Sequence, residues 1–406
     1  MTSPLLTPHL RHGTLVTLPG DFFGYFAWPT VARLDNGDLV VVASGLRHDH
    51  VDPFGRTVFM RSRDEGRTWT SPTVINDLPI DDRDTGIVDL GKGRLLVSWF
   101  TSDTRQYAEV VARCSSSDPD VARHYADGFR RVTDDAVTRW LGSWTRLSTD
   151  GGDSWSEPRR APVTTPHGPI TLPEDDALLY FGKSFTDSRD ATRSNGIAAY
   201  RSEDLGRTWS LLGKVPLHPN TVDEHYHEPH VVALADGRLL GLIRIQDRAA
   251  SPSLAAAGIP HFSMMQTTSD DGGRTWSTPE PLGFHGSPPH LLRHSSGAIV
   301  ATYGYRLAPF GERASVSYNG GTSWDVSLVL RDDGPDTDLG YPASVELSDG
   351  AIFTVYYQKR APGELCSLLW TRWKLPGTFH LRGKNKMGIC LTQGRAAVLA
   401  HEHRLC

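Results

Sequence analysis

Ser62-Arg63-Asp64-Glu65-Gly66-Arg67-Thr68-Trp69 is the stretch on which the fold turns. It has the chemistry of a tight hairpin. The Asp accepts backbone N–H groups across the turn, the Gly takes up positive φ, and the Trp buries a large ring under the next segment. The pattern Ser-x-Asp-x-Gly-x-Thr/Ser-Trp returns at 148–155, 202–209 and 269–276, and once more at 317–324 with Asn319 in place of the Asp. A generic acidic turn beside a surface Trp has no reason to recur five times in register. Each copy therefore marks one copy of a structural unit.

A second repeat is interleaved with the first. It is an apolar strand opened by a turn residue, usually proline, and folded back on a polar turn. The first copy is Trp28-Pro29-Thr30-Val31-Ala32-Arg33-Leu34-Asp35-Asn36-Gly37-Asp38-Leu39-Val40-Val41-Val42. Others run over 86–99 around Gly93, 168–181 around Asp176, 228–243 around Gly237, 288–303 around Gly297 and 341–356 around Gly350. Each reads as a β-hairpin. Six such hairpins, five of them followed by a second hairpin with the Asp octamer, predict six four-stranded sheets packed radially as an all-β, six-bladed β-propeller. Residues at the start of each first strand then line the central channel. The strand 13–18 is expected to complete the sixth blade against 368–375, so the propeller spans 13–376.

Composition agrees. The chain of 406 residues holds 39 Gly and 27 Pro without low complexity, as many short strands require. Its formal charge of −5 gives no electrostatic footprint for nucleic acid or for an anionic membrane surface. No apolar run is long enough to cross a membrane as a helix. The four cysteines, Cys114, Cys366, Cys390 and Cys406, are too scattered for a disulfide framework or a zinc site. The stretch Met1–Gly13 lacks the apolar core of a signal peptide, so a cytoplasmic protein is expected.

Two segments depart from the pattern. Val121, Tyr125, Phe129, Val132, Val137, Trp140 and Leu141 follow helical spacing, which predicts a small helical insertion in blade two over about 118–141. The tail 377–406 matches neither repeat and is expected to be a poorly ordered extension.

The octamers, the six-blade repeat and several strand-start residues together resemble the sialidase (neuraminidase) superfamily, over about residues 13–376. There the octamer is known as the Asp box, and it marks the fold more firmly than the activity. The resemblance implies a retaining glycosidase with a tyrosine nucleophile, a glutamate that activates it and an aspartate as general acid/base, in place of the usual carboxylate pair. A neutral phenol avoids the repulsion that the substrate's own carboxylate would impose on an anionic nucleophile. Tyr341, in Leu339-Gly340-Tyr341-Pro342, is similar to that nucleophile, and Glu228, in His227-Glu228-Pro229-His230, to its base. Asp52, in the loop Arg47-His48-Asp49-His50-Val51-Asp52, matches the acid/base, with Asp49 as its competitor. Arg47 and Asp84 resemble the pair that grips a ring hydroxyl of the substrate.

Such enzymes clamp the substrate carboxylate with three arginines, whose planar guanidinium groups match it bidentately. Arg244 resembles the second and Arg313 the third, with Arg306 as a rival. The first is missing: Phe26-Ala27-Trp28-Pro29 places Ala27 where a Phe-Arg-Ile-Pro-like stretch carries arginine, and Tyr356-Tyr357-Gln358 lacks the glutamate that normally holds it. The channel histidines His48, His50, His227, His230 and His290 are candidates to take over part of its role. No Asp-rich ligand run resembles a calcium loop, and neither cofactor nor metal is expected. Three functions remain in play: an exo-sialidase releasing terminal sialic acid from sialylated glycans, the same chemistry on another acidic sugar, and a non-catalytic glycan-binding propeller.

Overall fold

The computed structural model describes residues 10–109, 118–173, 177–185, 194–247 and 253–376. The expected turn at Asp176 and the tail 377–406 lie outside the described residues. Six antiparallel four-stranded sheets are present, each with strands in sequential order except where the chain closes on itself. Blade one is built from Tyr25–Arg33, Leu39–Arg47, Arg56–Ser62 and Thr73–Asn76. The innermost strands of the blades that follow are Asp81–Asp89, Ile170–Thr171, Tyr226–Ala233, Pro289–Arg293 and Gly340–Glu346. In the sixth sheet the outermost strand is Arg11–Val16, paired antiparallel with Ser367–Trp373. The closing strand thus begins two residues before the expected start at Gly13, because Arg11 and His12 still pair with Arg372 and Thr371.

The octamers form the predicted turns. In the first, the Asp64 carboxylate accepts the Thr68 N–H at 2.8 Å and the Thr68 hydroxyl at 2.7 Å, while Ser62 Oγ donates to Asp64 at 2.8 Å and accepts the Gly66 N–H at 2.8 Å. Those donors pull the Asp64 carboxyl down to about 2. Gly66 sits at φ +86°, where a side chain would also collide with Phe353. Three of the octamer tryptophans join neighbouring blades. Trp69 packs on Phe353 of blade six, Trp155 on Phe59 of blade one, and Trp276 stacks on Phe181 of blade three at 4.5 Å. The core accordingly lies between successive sheets; its largest cluster joins Phe26, Val41 and Val58 of blade one to Phe353, Val355 and Leu368 of blade six.

The insertion expected in blade two is a pair of helices, α1 (Pro119–Arg131) and α2 (Asp134–Trp140), between the strands Leu95–Ser102 and Ser143–Ser148. Asp118 caps α1 by accepting from the N–H groups of Asp120 and Val121, and Thr133 caps α2 through Ala136. Val121 and Tyr125 of α1 pack on Val51, and the Tyr125 hydroxyl donates to the Val51 carbonyl at 2.5 Å. The insertion therefore clamps the loop that follows the first hairpin.

Candidate functional site

One backbone device builds the channel mouth. In four blades the innermost strand breaks register with its neighbour: between Ala27 and Thr30, Arg83 and Gly86, His227 and His230, and Gly340 and Ala343. Inside each break stands a non-glycine residue at positive φ: Trp28 (+53°), Asp84 (+44°), Glu228 (+40°) and Tyr341 (+53°). Such bulges re-aim a side chain, and the left-handed conformation stores strain that the surrounding sheet must sustain. Three of the four residues precede a proline: Pro29, Pro229 and Pro342. Blade one therefore presents Trp28 where the other blades present Asp84, Glu228 and Tyr341. Ala27 beside it is fully buried.

Tyr341, Glu228 and Arg244 come together. The Tyr341 hydroxyl donates to Glu228 Oε1 at 2.7 Å. Arg244 Nη1 donates to the same hydroxyl oxygen at 3.0 Å and also pairs with Glu228 Oε2. Arg244 Nη2 is held by Gln246 at 2.8 Å, and the guanidinium lies 4.9 Å from the Phe262 ring centroid. Burial and the Glu228 charge push the Tyr341 phenol well above its ordinary value, so it rests protonated. Burial, followed by the Glu228 charge, raises the Asp84 carboxyl to about 7. Asp84 thus faces the same pair from blade two.

The arginines divide differently from expectation. Arg306 is the one beside the tyrosine: its guanidinium lies 5.9 Å from the Tyr341 ring centroid and 5.5 Å from that of Phe262, and it donates to the carbonyls of Ser287 and Leu339, both at 2.6 Å. Gly340, at φ +115°, allows this approach, since a Cβ there would meet Arg306 Nη2 at 3.2 Å. Arg313 is likewise held by carbonyls, those of Pro309 (3.0 Å), Glu312 (3.1 Å) and Arg331, but its guanidinium stacks on Tyr305 and not on Tyr341. Arg47 is wholly buried and spent on Asp81 (2.5 and 3.0 Å) and on the carbonyls of Asp49, His50 and Asp82. It has no donor to spare for a hydroxyl. Arg83, absent from the sequence reading, lies 4.4 Å over the Trp28 ring, and its carboxylate contact among the described residues is a long one, to Asp81 at 3.5 Å.

Asp52 is sealed as well. It is fully buried and accepts the N–H of His48, the N–H of Phe54 at 2.7 Å and a contact from His124 of α1 at 3.1 Å. Burial opposes its ionisation, but the His124 and Arg47 contacts hold it below the usual carboxylate range. A carboxylate that is fully buried and ties two backbone N–H groups of its own loop to α1 serves as a loop clamp. Asp49 is half-buried and accepts its neighbour's N–H, from His50, at 2.6 Å.

Two of the channel histidines, His230 and His290, do not replace the missing arginine. The rings of His167, His230 and His290 cluster with centroids 4.4–5.6 Å apart. His230 and His290 accept the backbone N–H groups of Leu291 (2.9 Å) and Ser344 (3.3 Å) at Nδ1, and burial keeps all three rings neutral at ordinary pH. A neutral ring contributes no charge to hold a carboxylate.

A different group fills the space beyond Trp28. Asp338 accepts from both Tyr25 (3.0 and 3.1 Å) and Tyr357 (3.2 Å), from Cys366 Sγ at 3.4 Å, and from His50 Nδ1 at 3.0 Å. Burial opposes its charge, yet His50, Lys359 and Cys366 keep it well below the usual carboxylate range. Sequence reading missed Trp28, Arg83 and Asp338. The Trp28-Pro29 dipeptide, matching Glu228-Pro229 and Tyr341-Pro342, was the available signal for the first; no local signal marks the others.

Comparison with known proteins places this geometry in context. A family model described as a BNR repeat-like domain matches residues 129–355. No curated protein matches the chain in sequence. Among solved structures, a protein of unknown function from Dyadobacter fermentans is 23% identical over 91% of this chain and 100% of its own, with a TM-score of 0.68. The intramolecular trans-sialidase of Ruminococcus gnavus is 16% identical over 89% of this chain and 97% of its own, with a TM-score of 0.59. The sialidase of Trypanosoma rangeli is 14% identical over 90% and 60%, with a TM-score of 0.58.

Proposed function

This chain belongs to the BNR repeat-like domain family and carries the sialidase-type propeller, and from that premise we propose that it is a retaining exo-glycosidase releasing a terminal acidic sugar, sialic acid first among them. The observation that carries the reading is the 2.7 Å hydrogen bond from the Tyr341 hydroxyl to Glu228, with Arg244 against the same oxygen. The phenol attacks the anomeric carbon while Glu228 takes its proton, and Arg244 stabilises negative charge growing on the tyrosine oxygen. A resting phenol held neutral by burial approaches an acidic sugar without charge repulsion. Arg244 and Arg306 hold the substrate carboxylate; Arg83, aligned on Trp28 with only a long contact to Asp81, is a donor beside the residue that follows Ala27.

Release of 4-methylumbelliferone from its N-acetylneuraminic acid α-glycoside tests this. Wild type turns over, and Tyr341→Phe loses more than about a hundredfold, the scale of a lost catalytic group. Equal rates for the two would overturn the tyrosine mechanism. The Ala27–Trp28 remodelling favours a second reading, the same chemistry on a non-sialic acidic sugar. A panel of glycosides in which a uronic-acid or other ulosonic-acid linkage is cut and sialosides are untouched would select it.

A further inference from the structure

A retaining mechanism needs a group that protonates the departing oxygen and then deprotonates water. Asp52, in the loop where the resemblance puts that group, is sealed by His48, Phe54 and His124. The same loop offers another. His50 is 29% exposed in its side chain, and its Nδ1 lies 3.0 Å from Asp338 and 3.2 Å from the Tyr25 hydroxyl. The hydroxyls of Tyr25 and Tyr357 donate to Asp338 as well, so the carboxylate acts as acceptor, His50 Nδ1 carries the proton that points at it, and Nε2 is the ring nitrogen outside this cluster. An ionised carboxylate on one imidazole nitrogen fixes the tautomer and balances the charge when the other is protonated. The ring is set by Trp28, edge-on at 5.0 Å, and Trp28 also lies 6.3 Å from Tyr341 between centroids. Tyr357 ties the two halves together, bonded to Asp338 and lying 5.9 Å from the Tyr341 ring.

We propose that His50 is the general acid/base of this site and that Asp338 is its positioning residue. The assignment rests on the glycosidase reading above. As Tyr341 Oη bonds to the anomeric carbon and Glu228 takes the phenol proton, the bond to the aglycone breaks. Its electron pair stays on the glycosidic oxygen, which takes the proton from His50 Nε2 and leaves as an alcohol. In the second half, neutral Nε2 takes a proton from water as the water oxygen bonds to the anomeric carbon. The tyrosine oxygen keeps the electron pair of the broken bond and recovers its proton from Glu228. Enzyme is regenerated, and the net reaction is hydrolysis with retention. Asp52 serves the loop, and Asp49 fixes the His50 backbone.

The test compares His50→Ala, Asp338→Asn, Asp52→Asn and Asp49→Asn on two substrates, 3′-sialyllactose and the 4-methylumbelliferyl sialoside. The alcohol leaving group needs protonation and the umbelliferone needs little. His50→Ala is expected to lose roughly 10²- to 10⁴-fold on sialyllactose. It keeps most of the initial umbelliferone burst, and its steady-state rate recovers with added azide, which attacks without a base. Asp338→Asn falls by less but with the same steepened dependence on leaving group, which a merely loosened fold would not produce. Because His50 is partly exposed, thermal unfolding of His50→Ala and His50→Gln near the wild-type temperature separates chemistry from folding. The assignment is overturned if Asp52→Asn or Asp49→Asn carries the leaving-group and azide signature, or if His50→Ala slows both substrates equally without rescue. Wild type inert on both substrates would fail the sialic acid reading alone, and the same variants are then compared on whichever acidic-sugar glycoside the panel shows to be cut; wild type inert on the whole panel would fail the glycosidase reading itself and this assignment with it.

Discussion

At the scale of single residues, the site concentrates groups whose protonation is set by burial. Asp84 shows it most sharply. Its carboxyl is raised to about 7 by burial first and the Glu228 charge second, against an unfolded value near 3.9. Between those values the folded protein binds more protons at Asp84 than the unfolded chain does, so this group's contribution to stability falls as pH rises from about 4 to about 7. Asp84→Asn removes the slope. The two proteins should unfold alike near pH 4, and by pH 8 the variant should be the more stable by a few kcal/mol, since each pH unit between the two values is worth roughly 1.4 kcal/mol. Denaturant unfolding at the two pH values checks this, and parallel pH profiles would refute it. Residue scale is also where reading from sequence stops. Tyr341 and Glu228 were legible because each opens a repeat beside a recognisable strand start, and Arg244 because it ends the repeat that Glu228 opens. The Asp338–His50 contact joins residues 288 positions apart, and Arg83 gains its meaning only from the Trp28 face beneath it. Nothing in a local pattern encodes either. Arg47, Asp52 and Arg313 sit at the positions the resemblance names, yet each spends its polar atoms on the protein itself.

At the scale of the element, the Asp octamer explains why so much of the fold could be read in advance. The Ser and Asp bonds that shape its turn close within eight residues, so the sequence pattern and the structure of the turn are nearly the same object. The degenerate fifth copy tests which atoms matter. Asn319 Oδ1 accepts from the Ser317 hydroxyl and the Ser323 N–H, and its Nδ2 donates at 2.8 Å to Ser323 Oγ, whose counterpart in the other copies is a donor. An amide therefore does the work by reversing one hydroxyl. Asp204→Asn should accordingly cost little stability, because Thr208 can turn its hydroxyl in the same way. Ser202→Ala should cost more, about 1–3 kcal/mol, because Ser202 Oγ is the acceptor for the buried Gly206 N–H at 2.9 Å and removing it strands that donor. Thermal unfolding of the two variants decides, and the reverse ranking would mean that the carboxylate charge, not the serine bridge, holds the turn. The helical pair was legible for a different reason. Its apolar spacing switches period inside a β chain, although nothing in that spacing said that α1 would press on the loop after the first hairpin and bury Asp52.

At the scale of the whole molecule, a ring of six sheets must close, and here it closes by pairing distant parts of the chain. Arg11–Val16 adds the fourth strand to a sheet whose other three strands lie between Gly340 and Trp373. Without it, the strand Ser367–Trp373 would become a bare edge bearing Leu369 and Trp370, a template for association with other chains. Gly13 lies so close over the Trp370 ring that a Cβ would come within 2.3 Å of it, so the closing strand also covers that indole. Deleting residues 1–16 should therefore lower the unfolding temperature and promote aggregation. Arg11 pairs with Arg372 in antiparallel register, which brings the start of the closing strand next to the end of the strand it covers. A circular permutant that joins Trp373 to Arg11 through a short turn, with its new start after Val16, keeps every one of these pairings. Beyond the segments 1–10 and 374–406, it gives up only the covalent link from Val16 into blade one. If closure works through the hydrogen-bonded edge, the permutant should recover most of the stability lost on deletion and remain monodisperse. If it melts like the deletion, the ring is held by chain connectivity across the blade one–blade six seam, and the 25–47 hairpin, not the edge strand, is the element that closes it.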